Sequence, residues 1–277
     1  MSTTSSAQPQ FSIRGDLVRP GDNNYESSRK IYNAMIDRHP RCIAFCSDVA
    51  DVIASIQFGR DRGLPTSVRC GGHSGPGLGM CDGLVIDLSR MNGVRVDPRA
   101  RTARVEGGCT WGCVDHATHV FGLATPSGIV STTGVGGLTL GGGHGHISRK
   151  YGLTIDNLLS ADVVLADGRM VVASEDENSD LFWAIRGGGG NFGVVTSFLF
   201  RLHPVKNVFA GPTFWPLEQA AGVIRAYRDF INQAPEEVNG FFAFLRVPPE
   251  PMFPEHLHLK EMCGIVWCYT GPRERLD

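Results

Sequence analysis

Several signatures are missing from this chain, and each absence removes a class of function. The formal net charge is −2, from 26 basic and 28 acidic residues, so the basic patch or stripe that holds a nucleic acid is not there. No run is long and apolar enough to cross a bilayer. Met1 to Gln8 have neither a basic region nor an apolar stretch behind it, which predicts no secretory signal. The expectation is a cytoplasmic protein with neither membrane nor nucleic acid as partner. The eight cysteines include no C-x-x-C pair, and a chain of this size does not need disulfide staples. Reduced, mostly buried thiols are therefore expected. Cys42 with Cys46 and Cys109 with Cys113 share one spacing, but zinc sites use closer pairs with suitably placed histidines, so no metal is expected. No Lys-Ser or Lys-Thr follows a glycine cluster, which excludes a P-loop. Nor does a Gly-x-Gly-x-x-Gly run open a helix with an acidic residue downstream, as a Rossmann fold requires.

Glycine is what the chain has in excess. The 35 glycines among 277 residues gather at 71–79, 134–145 and 187–193, without the period of a collagen. This pattern uses backbone as a binding surface. The apolar and charged fractions, 42% and 19%, are those of a soluble globular protein. The length fits one large domain or two ordinary ones with a substantial core.

The first cluster organises the rest. An apolar run from Leu64 to Val68 reads as a buried strand and delivers Arg69-Cys70-Gly71-Gly72-His73-Ser74-Gly75. Paired glycines let the backbone approach a ligand closely and turn N–H groups toward an anion. Beside Arg69 they form a cradle suited to a pyrophosphate, with the His73 imidazole nitrogen as a nucleophile at its edge. Taken alone, the octapeptide Val68–Gly75 reads equally well as a glycine turn holding a structural histidine.

A coarse reading places the motifs. Residues 1–14 read as a flexible lead, followed by a short helix from Ser27 to Ile36. Ser47 is expected to cap a second helix with Val49, Val52, Ile53 and Ile56 on its buried face, ended by Gly63 and Pro65. Short strands follow at 84–88, 94–96 and 102–106, the last two antiparallel, then a helix from Trp111 to Val120. Asp167-Gly168 predicts a type I′ hairpin between 158–166 and 169–173. Ser179 or Asp180 caps a helix to Ile185, and a strand at 194–202 ends at His203-Pro204. Leu217 to Ile231 make an amphipathic helix ended by Pro235, and about two strands, 241–247 and 259–269, begin a new sheet.

The glycine motifs gain meaning as an ordered set. Arg69-Cys70-Gly71-Gly72-His73-Ser74, Gly122-Leu123-Ala124-Thr125-Pro126 with Thr132-Thr133-Gly134-Val135-Gly136-Gly137, Leu140-Gly141-Gly142-Gly143-His144-Gly145, Ser148-Arg149-Lys150-Tyr151-Gly152-Leu153 and Asp180 to Val195 fall in one succession. Together they resemble the FAD-linked oxidases of the vanillyl-alcohol oxidase and p-cresol methylhydroxylase (PCMH) superfamily, nearest the berberine-bridge-enzyme-like branch, over residues 15 to 207.

The resemblance implies an α+β fold. A PCMH-type FAD-binding domain of two α/β subdomains at 38–207 would follow an N-terminal lead at 1–37. The start of an incomplete, truncated α+β substrate domain would occupy 208–277. It implies FAD as cofactor, with His73 bonded covalently to the flavin 8α-methyl carbon, although some members hold FAD without that link. The position of a second, cysteinyl link is Val130 here, so one link is expected. Arg69, Cys70, Gly71, Gly72, Ser74, Gly75, Thr132, Thr133, Gly134, Gly136, Gly137, Thr139, Gly141, Gly142, Gly143, His144 and Gly145 are the implied cofactor contacts, with the Val194 backbone at the adenine half.

Two residues depart from the family pattern. Cys70 replaces a smaller residue and would crowd the pyrophosphate. His144 replaces an apolar one, and with His146 would put both rings on one face of a strand. The implied reaction moves hydride from a C–H of an alcohol, sugar or amine to flavin N5, a base taking the proton and oxygen the electrons. No base is assigned, Tyr269 and Glu261 being unassigned candidates. The competing readings are a catalytically incomplete flavin-binding fragment and a non-covalent, NADPH-dependent relative resembling UDP-N-acetylmuramate dehydrogenase, against which the histidine loop argues.

Overall fold

The computed structural model describes residues 11–275. The first sheet is built from β1 (Asp16–Val18), β2 (Cys42–Phe45), β3 (Thr66–Arg69) and β4 (Leu84–Asp87), in the order β1-β2-β4-β3. β4 lies parallel to both β2 and β3. Covered on both faces, its Leu84, Val85 and Ile86 are wholly buried, as continuous apolar runs in parallel sheets are. The short helix α1 (Tyr25–Ser28) precedes β2, and α2 (Val49–Asp61) makes the crossover from β2 to β3.

Three expectations change here. The expected lead over 1–14 lies outside the described residues up to residue 10, but from Phe11 onward the chain is packed. The Phe11 ring stacks on Phe58 at 4.1 Å, and the N–H groups of Arg14 and Gly15 donate to the buried Asp51 carboxylate at 2.7 and 3.0 Å. Asp48, not Ser47, caps α2, accepting from the Asp51 N–H at 3.0 Å; the Ser47 N–H is drawn to Asp51 instead. The expected helix from Ser27 to Ile36 ends at Ser28. Beyond it the Asn33 side chain accepts from the Met35 N–H at 3.1 Å, a local bond that competes with helix. Residues 30–36 form a strap that crosses the loop after β3.

The second sheet follows. The elements of this part of the chain run β5 (Val94–Asp97), β6 (Thr102–Glu106), α3 (Trp111–His119), β7 (Leu123–Ala124), α4 (Val135–Leu140), α5 (Ser148–Tyr151), β8 (Leu158–Val164), β9 (Met170–Ser174), α6 (Ser179–Ile185), β10 (Val194–Arg201) and β11 (His203–Pro204), with β7 and β11 paired apart as a two-stranded ribbon. The strand order is β5-β6-β10-β8-β9, all antiparallel. Phe198, Phe200, Trp111, Val105 and Phe182 fill its core.

The β8–β9 turn differs in type from the expected one. Gly168 alone takes positive φ, at 87°, and its N–H donates to Leu165 O at 2.9 Å. This is a type I turn closed by a glycine bulge, because a type I′ turn needs positive φ at Asp167 too. Asn178, at φ 48°, precedes α6 in place of the expected caps. His203-Pro204 does not simply end the unit, but pairs with Leu123-Ala124.

The third sheet has three strands where two were expected, β12 (Phe209–Pro216), β13 (Val238–Arg246) and β14 (Glu261–Tyr269), ordered β12-β14-β13. Gly211, Pro212 and Pro216 hide β12 from sequence reading, and as an edge strand it tolerates the prolines. A 3₁₀ turn at Leu217–Gln219 leads into α7 (Ala220–Ile231). Tyr227 and Phe230 stand edge-on to Trp267 at 5.7 and 5.8 Å. Arg149 ties this sheet to the second, donating to the carbonyls of Ala234, Pro235 and Val238 at 3.1, 3.1 and 2.5 Å.

β3 and β4 end in a buried ion pair, Arg69 Nε to Asp87 Oδ2 at 2.5 Å, with side-chain exposures of 7% and 2%. Asp87→Ala strands a guanidinium in the interior and should lower unfolding free energy by about 3–5 kcal/mol in a urea titration. Asp162→Ala, which breaks the more exposed pair with Arg104, should lower it by less than about 1 kcal/mol. Equal losses would show that the buried pair does not anchor the end of β3.

Candidate functional site

The site forms where loops from the first two sheets meet backbone to backbone. A Cβ built on Gly71 would lie 2.2 Å from Gly134 N, and one on Gly134 would lie 2.3 Å from Cys70 Sγ. Only glycine permits this approach. The second loop is fixed from behind by the start of α3, since the N–H groups of Trp111 and Gly112 donate to Thr133 O and Ser131 O at 3.0 and 2.8 Å. Cys70 turns its thiol into this seam, against Gly134 and Gly136.

His73 stands at the rim, held on three sides. Its Nε2 lies 2.9 Å from Thr132 Oγ1 and its Nδ1 3.5 Å from Thr133 Oγ1. The Tyr32 ring stacks on one face at 4.4 Å and 17°. The first cluster and the strap are also bonded through the backbone, Tyr32 N–H to Gly72 O at 3.1 Å and Asn33 Nδ2 to Gly75 O at 2.7 Å. Ser74 Oγ accepts from the Leu78 N–H at 3.0 Å and so closes its own loop. A cleft of about 560 Å³ runs from Ser27–Tyr32 past Arg69–His73 to Asp87 and Ser89.

The glycines divide by what surrounds them. A Cβ on Gly75, Gly137, Gly141 or Gly142 would meet at most ordinary contacts, and on Gly75, Gly137 and Gly142 nothing at all within 4 Å. At Gly142 it is the φ of 112° that demands glycine. Gly143 and Gly145 are dictated by the protein itself, for their Cβ atoms would strike Thr154 Oγ1 at 2.2 Å and Ser127 O at 1.7 Å. The 187–193 cluster caps α4, because the N–H groups of Gly187 and Gly189 both donate to Leu140 O, at 3.1 and 3.0 Å. In the first turn of α4 the N–H groups of Gly136 and Gly137 have no intrahelical acceptor.

Other expected contacts are placed differently. Arg69 is committed to Asp87 and to Ser28 O, the latter at 2.6 Å, so it braces the loop and is not a free anion ligand. Thr139 is fully buried with its hydroxyl unpartnered and cannot face a ligand. Val194 opens β10 opposite Val164, its side chain in the core shared with Val52 and Leu84, which leaves only backbone for a contact. Val130 is half-exposed and its carbonyl accepts from the Thr133 N–H at 3.0 Å.

His144 and His146 lie on a loop, not a strand, yet both rings meet the edge of Phe241, at 5.4 and 5.1 Å. Burial, then neighbouring His144, pushes His146 below the usual imidazole range. Its Nδ1 has no partner. Glu261 and Tyr269 sit at opposite ends of β14, the first paired with Arg246 at 2.8 Å and the second donating to Pro272 O at 3.1 Å. All eight cysteines are free, and burial pushes Cys46 and Cys109 up to about 12, the range of unreactive thiols. Among the described residues no three His, Cys, Asp or Glu converge as metal ligands, and no helix is long and apolar enough to cross a membrane. Sequence reading missed Tyr32 and Asn33, whose only local signal is an aromatic–amide pair inside an apparently helical pattern.

Comparison with known proteins places this geometry. The FAD binding domain family matches residues 40–174. The FAD-linked oxidoreductase pgmH of Aspergillus terreus is 37% identical over 276 residues, 97% of this chain and 54% of that protein. The structure is similar to 6-hydroxy-D-nicotine oxidase from Arthrobacter nicotinovorans, with a TM-score of 0.85 and 32% identity over 97% of this chain and 58% of that one. It is also similar to BBE-like 1 from Physcomitrella patens, with a TM-score of 0.83 and 28% identity over 95% and 56%. The chain spans about half the length of the curated relatives it matches.

The back-to-back seam gives a test. Gly71→Ala overpacks it against Gly134 and should lower unfolding free energy by about 1–3 kcal/mol in denaturant. Gly137→Ala, which enters open space within α4, should leave stability unchanged or raise it by up to about 1 kcal/mol. Equal stability of the two variants would show that the two loops do not meet as described.

Proposed function

The chain belongs to the FAD-linked oxidases with a PCMH-type FAD-binding domain, in their berberine-bridge-enzyme-like branch, and on that premise we propose that it holds FAD through one covalent bond from His73 and oxidises a C–H bond of a small alcohol, sugar or amine, with dioxygen as electron acceptor. The observation that carries this reading is His73 itself. Its imidazole is fixed at the rim of a glycine cradle with both nitrogens against threonine hydroxyls. In either neutral tautomer one nitrogen carries no proton and keeps a lone pair, faced by a threonine hydroxyl, which is what a nucleophile toward the 8α-methyl carbon needs.

The cradle fits the group by chemistry and by space. The backbone N–H groups of Gly71, Gly72, Gly136 and Gly137 provide neutral donors for a diphosphate, so Arg69 need not serve as its counter-charge. The empty surroundings of Gly75, Gly137 and Gly142 are room that any side chain would take. When bound, FAD supplies the two-electron acceptor. Residues 38–207 would bind the cofactor, and 208–277 would contribute to the substrate side. Arg149, by joining α5 to the chain around β13, would hold that side in register with the Gly141–Gly145 loop. Glu261 and Tyr269, engaged elsewhere, are poor choices for the proton acceptor.

Two variants separate attachment from binding. The unsubstituted chain expressed with FAD should be yellow and keep its colour in the protein pellet after acid precipitation. His73→Ala should release all of its flavin under the same treatment. Gly137→Leu, filling the cradle on an exposed helix position, should remain folded by circular dichroism and incorporate no flavin. Flavin fully extractable from the unsubstituted protein would refute the covalent bond, and normal loading of Gly137→Leu would show that the cradle is elsewhere.

A further inference from the structure

The geometry points to Tyr32 as a positioning residue that orients the His73 imidazole for bond formation, an inference that rests on the covalent reading above. Tyr32 lies on the strap, not in the core, and is 74% exposed. One face of its ring is nonetheless stacked on His73 at 4.4 Å and 17°. Large aromatic side chains left in water on a loop contribute little to folding, so this placement calls for another explanation. His73 is half-buried and lines the cleft, and its two side-chain torsions would otherwise let the ring swing. The threonine hydroxyls constrain its two nitrogens within the ring plane, but a hydrogen bond tolerates tilt and hydroxyls rotate. The stacked ring fixes the plane itself.

The strap holds Tyr32 in register without help from its ring. The Tyr32 N–H donates to Gly72 O at 3.1 Å and Asn33 Nδ2 to Gly75 O at 2.7 Å, one residue before and two residues after His73. Ile31 packs over Gly72, where its side chain lies 3.6 Å from a built Cβ, and Ile36 over Gly77. Removing the ring therefore removes one contact from His73 and leaves the backbone path intact.

The step that benefits has a closed balance. A C–N bond forms between the imidazole nitrogen and the 8α-methyl carbon while one methyl C–H and the imidazole N–H break. The two electrons and two protons so released end on dioxygen as hydrogen peroxide. Its rate depends on the fraction of time the lone pair points at the carbon, and confining a reacting group is a large source of rate. Loss of one aromatic contact should slow it about two- to tenfold.

The test uses the full chain, purified without flavin and mixed with FAD. Total bound flavin is followed by gel filtration and attached flavin by acid precipitation, for the unsubstituted chain, Tyr32→Ala and Tyr32→Phe. In flavin-free samples the His73 ring protons are read by NMR, where a stacked neighbour shifts them upfield. Tyr32→Ala should bind as much flavin, attach it two- to tenfold more slowly, and lose the upfield shift; Tyr32→Phe should match the unsubstituted chain in all three. Attachment by Tyr32→Ala at the unsubstituted rate, or Tyr32→Phe as slow as Tyr32→Ala, would overturn the inference. If the unsubstituted chain attaches no flavin, the covalent reading falls instead, and the ring shift alone decides whether Tyr32 orients His73.

Discussion

The close approach of Gly71 to Gly134 is the contact on which the rest of the site depends. Two loops sixty-three positions apart touch through bare backbone, with no room for a Cβ on either side. That contact puts Thr132 and Thr133 within reach of His73. It also sets the start of α4 beside the loop that leaves β3. A glycine pair gives up more conformational freedom on folding than any other residue pair would. Here the loss is offset by packing behind each loop, from the Arg69–Asp87 pair on one side and the start of α3 on the other.

Each sheet contributes a different kind of rigidity. The parallel strands of the first sheet bury Leu84, Val85 and Ile86 completely and end at one edge, so the loop after β3 leaves a fixed point. The second sheet supplies an aromatic core around Phe198 and Phe200 and carries the remaining glycine clusters on its connections. Gly187 and Gly189 bond to the last turn of α4, which joins the 187–193 cluster to the 134–145 cluster. Arg149 then fastens the third sheet to this assembly through three carbonyls. A multidentate guanidinium holds direction as well as distance, so the third sheet has a defined pose over the Gly141–Gly145 loop, where Asn239 and Phe241 meet it.

The polar groups of the site fall into two sets with different duties. Arg69 and Asp87 are withdrawn into the interior and brace the loop after β3, while Thr139 is buried with its hydroxyl unpartnered. His73, Thr132 and Thr133 remain accessible and carry the chemistry proposed for the site. His146 stands between them. Its Nδ1 is unpartnered and burial lowers its basicity, and its contact with Phe241 ties the Gly141–Gly145 loop to the third sheet. The departure from the family pattern at His144 is absorbed in a packing contact with Phe241.

What the sequence determined by itself is local or compositional. The ordered glycine clusters, the strand leading to His73, the hairpin near Gly168 and the helix at Val49–Asp61 follow from turn chemistry and periodicity, which act over a few residues. That is why the family was legible from motifs alone, and why His73, Thr132 and Thr133 stood out as candidates. Tertiary structure decided what depends on distant partners. Arg69 looked like an anion ligand until Asp87, from the next parallel strand, took its charge. Gly143 and Gly145 looked like cofactor glycines, but Thr154 and Ser127 are what forbid a side chain there. The stretch after Ser28 carries a helical pattern, yet its bonds to Gly72 and Gly75 pull it out as a strap, since contacts across forty residues outweigh a weak helical preference. No local rule could place Tyr32 on His73, because the pairing exists only once the first sheet has brought the two segments together.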